Sequence, residues 1–281
     1  MSAMTASLFS LPWAQYRRHP TFYLWYDLVF AVGAGIAIAV MLRQGFAGLL
    51  PTFEWWTPLL LPAALYVLIM AHVFIHNASH GNFPKAVNRI VGEICGVLVL
   101  TRFASWEIVH RRHHRYSDDP VRDPHPAERG YWRFAVNTII NVEKQLQQQY
   151  FDVYGDTPKT RRYERVRALW SFVSGTMLVV TFFLLLGPAG FFVLFVPASI
   201  GAALFVIHFN WAGHNAHRAD KPIAPADLDY GWYWLGNRVF FGIYFHGTHH
   251  KMAMVFNPMR YAQRLAAKKR ADETEGVREA A

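Results

Sequence analysis

Cysteine is nearly absent from this chain of 281 residues: Cys95 stands alone, which excludes an internal disulfide and any thiolate metal cluster. Charge is scarce as well. Asp, Glu, Lys and Arg make up 17% of residues, against about a quarter in a soluble domain, while hydrophobic residues reach 53% and aromatics 16%. That balance excludes an ordinary soluble domain and points to a membrane protein. Acidic residues are the scarcer sign, 19 against 28 Lys and Arg, leaving a formal charge of +9. No nucleic-acid recognition module accompanies this excess, so the charge is read as the cationic bias of cytoplasmic loops. A cleavable signal is missing too, because "MSAMTASLFSLPWAQYRRHP" reaches its arginines before any long apolar stretch. The chain is expected to insert through its own first span and to keep it. There is no HExxH zinc-protease motif, no repeat of a soluble-array type and no low-complexity tract.

Four apolar windows near the twenty residues that a bilayer core requires are present. Residues 22–42 are interrupted only by Asp27, and residues 57–75 carry only His72 as an ionisable group. Residues 168–209 contain no Asp, Glu, Lys or Arg, and "GPAG" divides them into 168–186 and 190–209, since Pro and Gly together end a helix and turn the chain. The expected fold is an all-α integral membrane protein with four transmembrane helices in two hairpins. Arg43 is the one cation between the first two spans, and none lies between the last two. The positive-inside bias therefore places both termini, a middle segment 81–167 and a tail 211–281 on the cytoplasmic side. Within that cap, 90–101 is apolar but too short to span, so it reads as an interfacial helix, and 133–151 reads as amphipathic and surface-lying.

What the chain has in abundance is histidine, 14 in all. Most fall in four groups, each where a span meets the cytoplasmic side. "HVFIHNASH" carries His76 and His80; "HRRHH" carries His110, His113 and His114; "HFNWAGHNAH" carries His208, His214 and His217; "HGTHH" carries His246, His249 and His250. Residues three and four apart share a helix face, so HxxxH and HxxHH each aim their imidazoles at one point. Neutral imidazole is the common nitrogen ligand of zinc, copper, iron and nickel. An isolated histidine is ordinarily a packed or hydrogen-bonded ring, and that reading is kept for His19, His72 and His125. Three multi-histidine boxes on one side of the membrane point instead to metal. Structural zinc takes four ligands and catalytic zinc three, so eight box histidines exceed a mononuclear site and match two ions. Affinity leaves zinc, copper and iron open. Ligating rings need partners for their other N–H, and Glu107, Asp118, Asp119 and Asp123 flank the second box as candidates, with Asp220 near His217; each is equally read as part of a solvated loop. "EIVH" (107–110) matches one Glu-x-x-His unit of soluble di-iron bundles, but no second unit occurs.

"HNASH", "HRRHH" and "HGTHH", in that order and with spans before the first and between the second and third, resemble the three histidine boxes of the membrane fatty acid desaturase and hydroxylase superfamily. The resemblance covers roughly 70–258 and implies a single desaturase-like domain across 1–281. It implies that His76, His80, His110, His113, His114, His246, His249 and His250 ligate two ferrous ions. In acyl-CoA desaturases of this superfamily a further histidine follows the last span, with an asparagine four residues before it. His217 matches that extra ligand in its distance to the third box, and His214 lies near the asparagine place at a spacing of three; both join the candidate metal ligands. The HxxxH first box is the form of acyl-lipid desaturases and of carotenoid hydroxylases and ketolases. No fused cytochrome b5 domain is present, so electrons are expected from a separate carrier of ferredoxin or cytochrome b5 type.

The resemblance implies O2-dependent removal of hydrogen from an unactivated CH2 in an apolar tunnel, with a fatty acyl chain as the expected substrate and a double bond as the product. Carotenoid hydroxylation or ketolation, or alkyl hydroxylation, uses the same metal chemistry. A histidine-rich metal transporter is the reading from a different class, but it expects ligands at the bilayer midplane on broken helices. The basic stretches 161–167 and 264–270 could attract anionic headgroups or an acidic ferredoxin.

Overall fold

A computed structural model describes residues 10–279, with side chains through residue 274. Among these residues all regular secondary structure is helical, apart from one isolated β-bridge between Asp227 and Phe245. After the short α1 (Pro12–Tyr16), α2 (Phe22–Arg43) is apolar all round, which a helix tolerates only when lipid or protein surrounds it. A 3-10 turn (Thr57–Leu60) leads into α3 (Leu61–Ser79), with Pro near its first position, where the missing N–H costs no hydrogen bond. Next come α4 (Lys85–Leu98), α5 (Phe103–Tyr116) and α6 (Tyr131–Tyr154). Then come α7 (Pro158–Ala189), a π-helical turn (Gly190–Phe195) and α8 (Val196–Gly213). The tail holds α9 (Gly231–Val239), α10 (His246–Lys251) and α11 (Pro258–Glu279). Thr157 and Thr160 start α7 with a capping box, each side chain receiving the other's backbone N–H.

Three segments are long and apolar enough to cross a membrane: Phe22–Arg43, Thr57–Ser79 and Pro158–Gly213. The expected third and fourth windows both fall in the last of these, because "GPAG" interrupts the helix at one residue only. Gly187 takes φ 75° and ψ 170°, and Ala189 and Gly190 are already back in the right-handed helical region. A straight helix of these 56 residues would be about 84 Å long. Instead the run folds back on itself: the rings of Phe182 and Phe195 stack at 4.4 Å, and those of Phe183 and Phe191 meet at 5.5 Å. The positive φ suits glycine, and Gly48 faces it so closely that a Cβ there would lie 2.5 Å from the Gly187 backbone. Two backbone hydrogen bonds, Leu49 N–H to Leu185 O at 2.9 Å and Leu50 N–H to Leu186 O at 2.8 Å, fasten this bend to the loop after α2.

Helix α2 packs against α7, and α3 against α4 and α8. Leu68, Ile69, Phe182, Phe195 and Ala202 form one core around the bend, and Ala104, Ile108, Leu146 and Tyr150 with Tyr16 and Tyr23 form another among α1, α2, α5 and α6. The segment expected to be interfacial, 90–101, lies mainly in α4, which leaves Val87, Ile90 and Ile94 exposed on its outer face. The amphipathic expectation for 133–151 matches α6, with Phe134, Thr138, Gln145 and Leu146 buried and Trp132, Val136, Ile139 and Ile140 exposed.

Candidate metal centre

Four helix ends deliver the histidines. His76 and His80 close α3, one inside its last turn and the other as its cap. His110, His113 and His114 lie on the inward face of α5, and His246, His249 and His250 fill the short α10. His214 caps α8. Nine ring nitrogens gather in two sets, each with all its ligand atoms within 4.8 Å of one another: His76, His80, His110, His114 and His249 in one, and His113, His214, His246 and His250 in the other. The sets adjoin, with His114 and His250 stacked at 4.4 Å between ring centroids.

Hydrogen bonding among the rings does not account for this convergence. His246 Nε2 lies 2.9 Å from His214 Nε2 and 3.1 Å from His250 Nε2, and His110 Nε2 lies 2.8 Å from His80 Nε2 and 3.1 Å from His114 Nε2. A neutral imidazole nitrogen is either a donor or an acceptor, so one such atom cannot serve two partners in both roles. Nε2 of His76 and of His113 is buried with no hydrogen-bond partner at all. Lone pairs converging from nine rings, with two of those nitrogens unpartnered, fit two cations of the imidazole-binding type.

Two of the four rings in the second set are oriented by carboxylates. His113 Nδ1 donates to Asp123 Oδ1 at 2.9 Å, and His214 Nδ1 donates to Asp118 Oδ1 at 2.8 Å. Both Asp123 oxygens also accept a backbone N–H, from His125 and from Asp118, which sets the carboxylate as the acceptor and leaves the His113 lone pair on Nε2. Burial pushes the Asp123 carboxyl up to about 8. A cation held on the far side of the His113 ring would oppose that shift, and the ionised form is the one that matches the donors around it.

The remaining candidates lie elsewhere. Glu107 is fully buried, but it accepts from the Trp13 backbone N–H and from Arg111, both at 2.9 Å, and so fastens α1 to α5 without touching a ring. Asp119 caps its own turn: Arg122 and the backbone N–H groups of Val121 and Arg122 hold its carboxyl down to about 2. Asp220 pairs with Arg218. His217 falls outside both sets, because Asn215 takes φ 56° just after α8 and breaks the helical phase; its ring packs on Trp211 and Tyr233 instead. His72 bonds the Leu68 carbonyl, while His125 packs against His113 at 4.6 Å, nearer the site than its isolation in sequence suggests. In the basic stretch 161–167, Arg167 is buried between Glu143 and Glu164 and is not a surface charge.

These contacts rank the acidic substitutions. Asp123→Asn and Asp118→Asn are each expected to weaken metal binding by about 10- to 100-fold, the usual cost of losing a ring-orienting partner. Asp119→Asn should leave it unchanged. Metal titration of the three purified variants checks this order.

Burial, and after it the neighbouring rings, hold these imidazoles far from protonation: His110, His113, His246 and His249 are pushed well below their ordinary 6.5, and His114 down to about 4. The unfolded chain then binds more protons than the folded one between pH 6.5 and about 4, so stability falls as pH drops through that window. Melting temperatures of the metal-free protein in detergent should be level above neutrality and decline below it; an unchanged value at pH 5 would contradict the burial of the rings.

A membrane protein with nine convergent imidazoles and no thiolate ligand defines the class. The family model described as "Fatty acid desaturase" matches residues 53–271, and the chain belongs to that family. It is an integral membrane protein, and its family points to an oxidoreductase of the desaturase and hydroxylase type, with which the histidine sets are compatible as a di-iron site. No curated protein and no solved structure matches the chain significantly.

Proposed function

We propose that this chain is a single-domain, membrane-bound, O2-dependent oxidoreductase that introduces a double bond into a fatty acyl chain. The observation that carries the reading is the junction of metal centre and cavity. A cavity of about 290 Å³ is lined by His76 and His110 together with Val109, Leu146, Val206 and Phe209, so an apolar chain lying in it passes beside the five-histidine set. Four spans in two hairpins are the arrangement that suits the reversal at Gly187. Both termini and the histidines then face the cytoplasm, in keeping with the scarcity of cations in the other loops.

The nine histidines, with His214 in the place expected for His217, would hold two iron ions, which would supply activation of O2 for hydrogen removal. The protein's own part is positional. Asp118 and Asp123 fix two rings in the tautomer that presents Nε2, the apolar wall excludes water from the substrate segment, and Trp106 stacks beside His110 at 6.3 Å to close the site. Electrons come from a separate carrier at the cytoplasmic face, of ferredoxin or cytochrome b5 type.

Expression with a reductase system, followed by lipid and pigment profiling beside a His113→Ala control, tests the reaction. New unsaturation that disappears in the control is expected. A hydroxyl or keto product would assign the chain to hydroxylation or ketolation, and the absence of any metal-dependent product would end the oxidoreductase reading.

A further inference from the structure

The cavity beside His76 and His110 carries a polar pattern that an acyl tunnel does not need. Besides His76 Nε2, which belongs to the metal set, and Arg102 Nε, which faces Asp27, three atoms of its lining residues are buried and without a hydrogen-bond partner: Trp106 Nε1, Thr138 Oγ1 and His125 Nδ1. Unpaired buried polar atoms are costly, and they are ordinarily satisfied by a ligand or an ordered water. Together they offer a donor in the indole N–H, a hydroxyl that both donates and accepts, and an imidazole nitrogen. All three belong to residues that line the same cavity.

Charge at the cavity is already matched. Arg102 is the one Arg or Lys among the described lining residues, and Asp27 pairs with it at 2.9 Å, while Ser171 and Ser174 take its remaining N–H groups. Glu143, also on the lining, is held by Arg167, which Glu164 shares. Both arginines are thus paired with carboxylates. Among the lining side chains a carboxylate or phosphate therefore meets no unpaired Arg or Lys, and away from the metal set it would lose its hydration without compensation.

We infer that the cavity takes an uncharged lipid bearing a hydroxyl or carbonyl oxygen on its chain, and that Trp106 and Thr138 recognise that oxygen. The Trp106 ring lies 6.3 Å from the His110 ring, one helical turn along α5, so the oxygen sits near the segment to be oxidised and not at a distant headgroup. The inference rests on reading this cavity as the substrate site, but it concerns binding and is measured without turnover.

Equilibrium binding of radiolabelled dodecanol, dodecanone, dodecanoate and dodecane to the iron-loaded full chain in nanodiscs, corrected for empty nanodiscs, tests it. Dodecanol and dodecanone should bind at least about tenfold more tightly than dodecanoate and dodecane, because a site built to hydrogen-bond an oxygen rejects analogues that lack or ionise it. Thr138→Val and Trp106→Phe should each reduce that preference with melting temperature unchanged, while Thr138→Ser should keep it. Equal or tighter binding of dodecanoate would overturn the inference, as would a preference unaltered in both variants, which would leave water as the partner of the unpaired atoms. A chain that oxidises lipid yet shows no such preference would refute this inference alone; one that shows the preference but forms no metal-dependent product would refute only the proposed reaction.

Discussion

His246→Ala should abolish turnover and remove about one of two bound metal ions. The ring is fully within the four-histidine set: its Nε2 lies 2.9 Å from that of His214 and 3.1 Å from that of His250, and only 1% of the residue is exposed. Its position leaves no room for a substitute, because α8 passes so close that a Cβ on Gly213 would lie 2.8 Å from the His246 Cβ. Deleting an orienting partner already costs about 10- to 100-fold in metal affinity, so deleting the ligand itself should exceed the upper end of that range. The five-histidine set shares no ligand atom with His246 and should keep its ion. Metal analysis after gel filtration distinguishes this from global unfolding, in which both ions are lost together.

The second large effect belongs to a buried ion pair. Asp27, within α2, is fully buried and pairs at 2.9 Å with Arg102, at the cap of α5, whose side chain is 11% exposed. The approach is that of an ion pair and not of an aligned hydrogen bond, for neither Asp27 oxygen nor Arg102 Nε finds hydrogen-bond geometry there. Removing one partner strands the other charge in a region of low dielectric. Asp27→Leu is therefore expected to destabilise the chain by about 3–5 kcal/mol. The double replacement of Asp27 by Leu and Arg102 by Met should recover most of that loss, since apolar packing often replaces a buried pair at little cost. Thermal unfolding of the single and double variants in the same detergent measures both. A single variant as stable as wild type would show that Arg102 is satisfied by Ser171 and Ser174 without Asp27.

The metal centre was more legible than the fold around it. Box histidines at three- and four-residue spacings on α3, α5 and α10 must share a face, so periodicity alone brings His110 with His114 and His246 with His250. His214 and His217 were not separable in that way, because the choice between them depends on where α8 ends. Asn215 at positive φ makes His214 the cap and turns His217 outward, and no spacing rule records that. The acidic candidates show the same limit. Asp118 reaches His214 across 96 positions of sequence, whereas Asp119, its neighbour, bonds only within its own turn. Spans were visible as apolar windows, but the third and fourth windows merge in one helical run whose reversal hangs on Gly187. Trp106 and Thr138 carried no signal at all. Their unpaired atoms become distinctive only when α5, α6 and α8 enclose a cavity.

The most direct test of the account is the metal stoichiometry of the intact, detergent-purified chain, measured by elemental analysis together with the coordination seen by X-ray absorption. Two irons per chain with imidazole nitrogen as the protein ligand and no sulfur is the expected result. A single ion, or zinc in a closed four-nitrogen site, would contradict it.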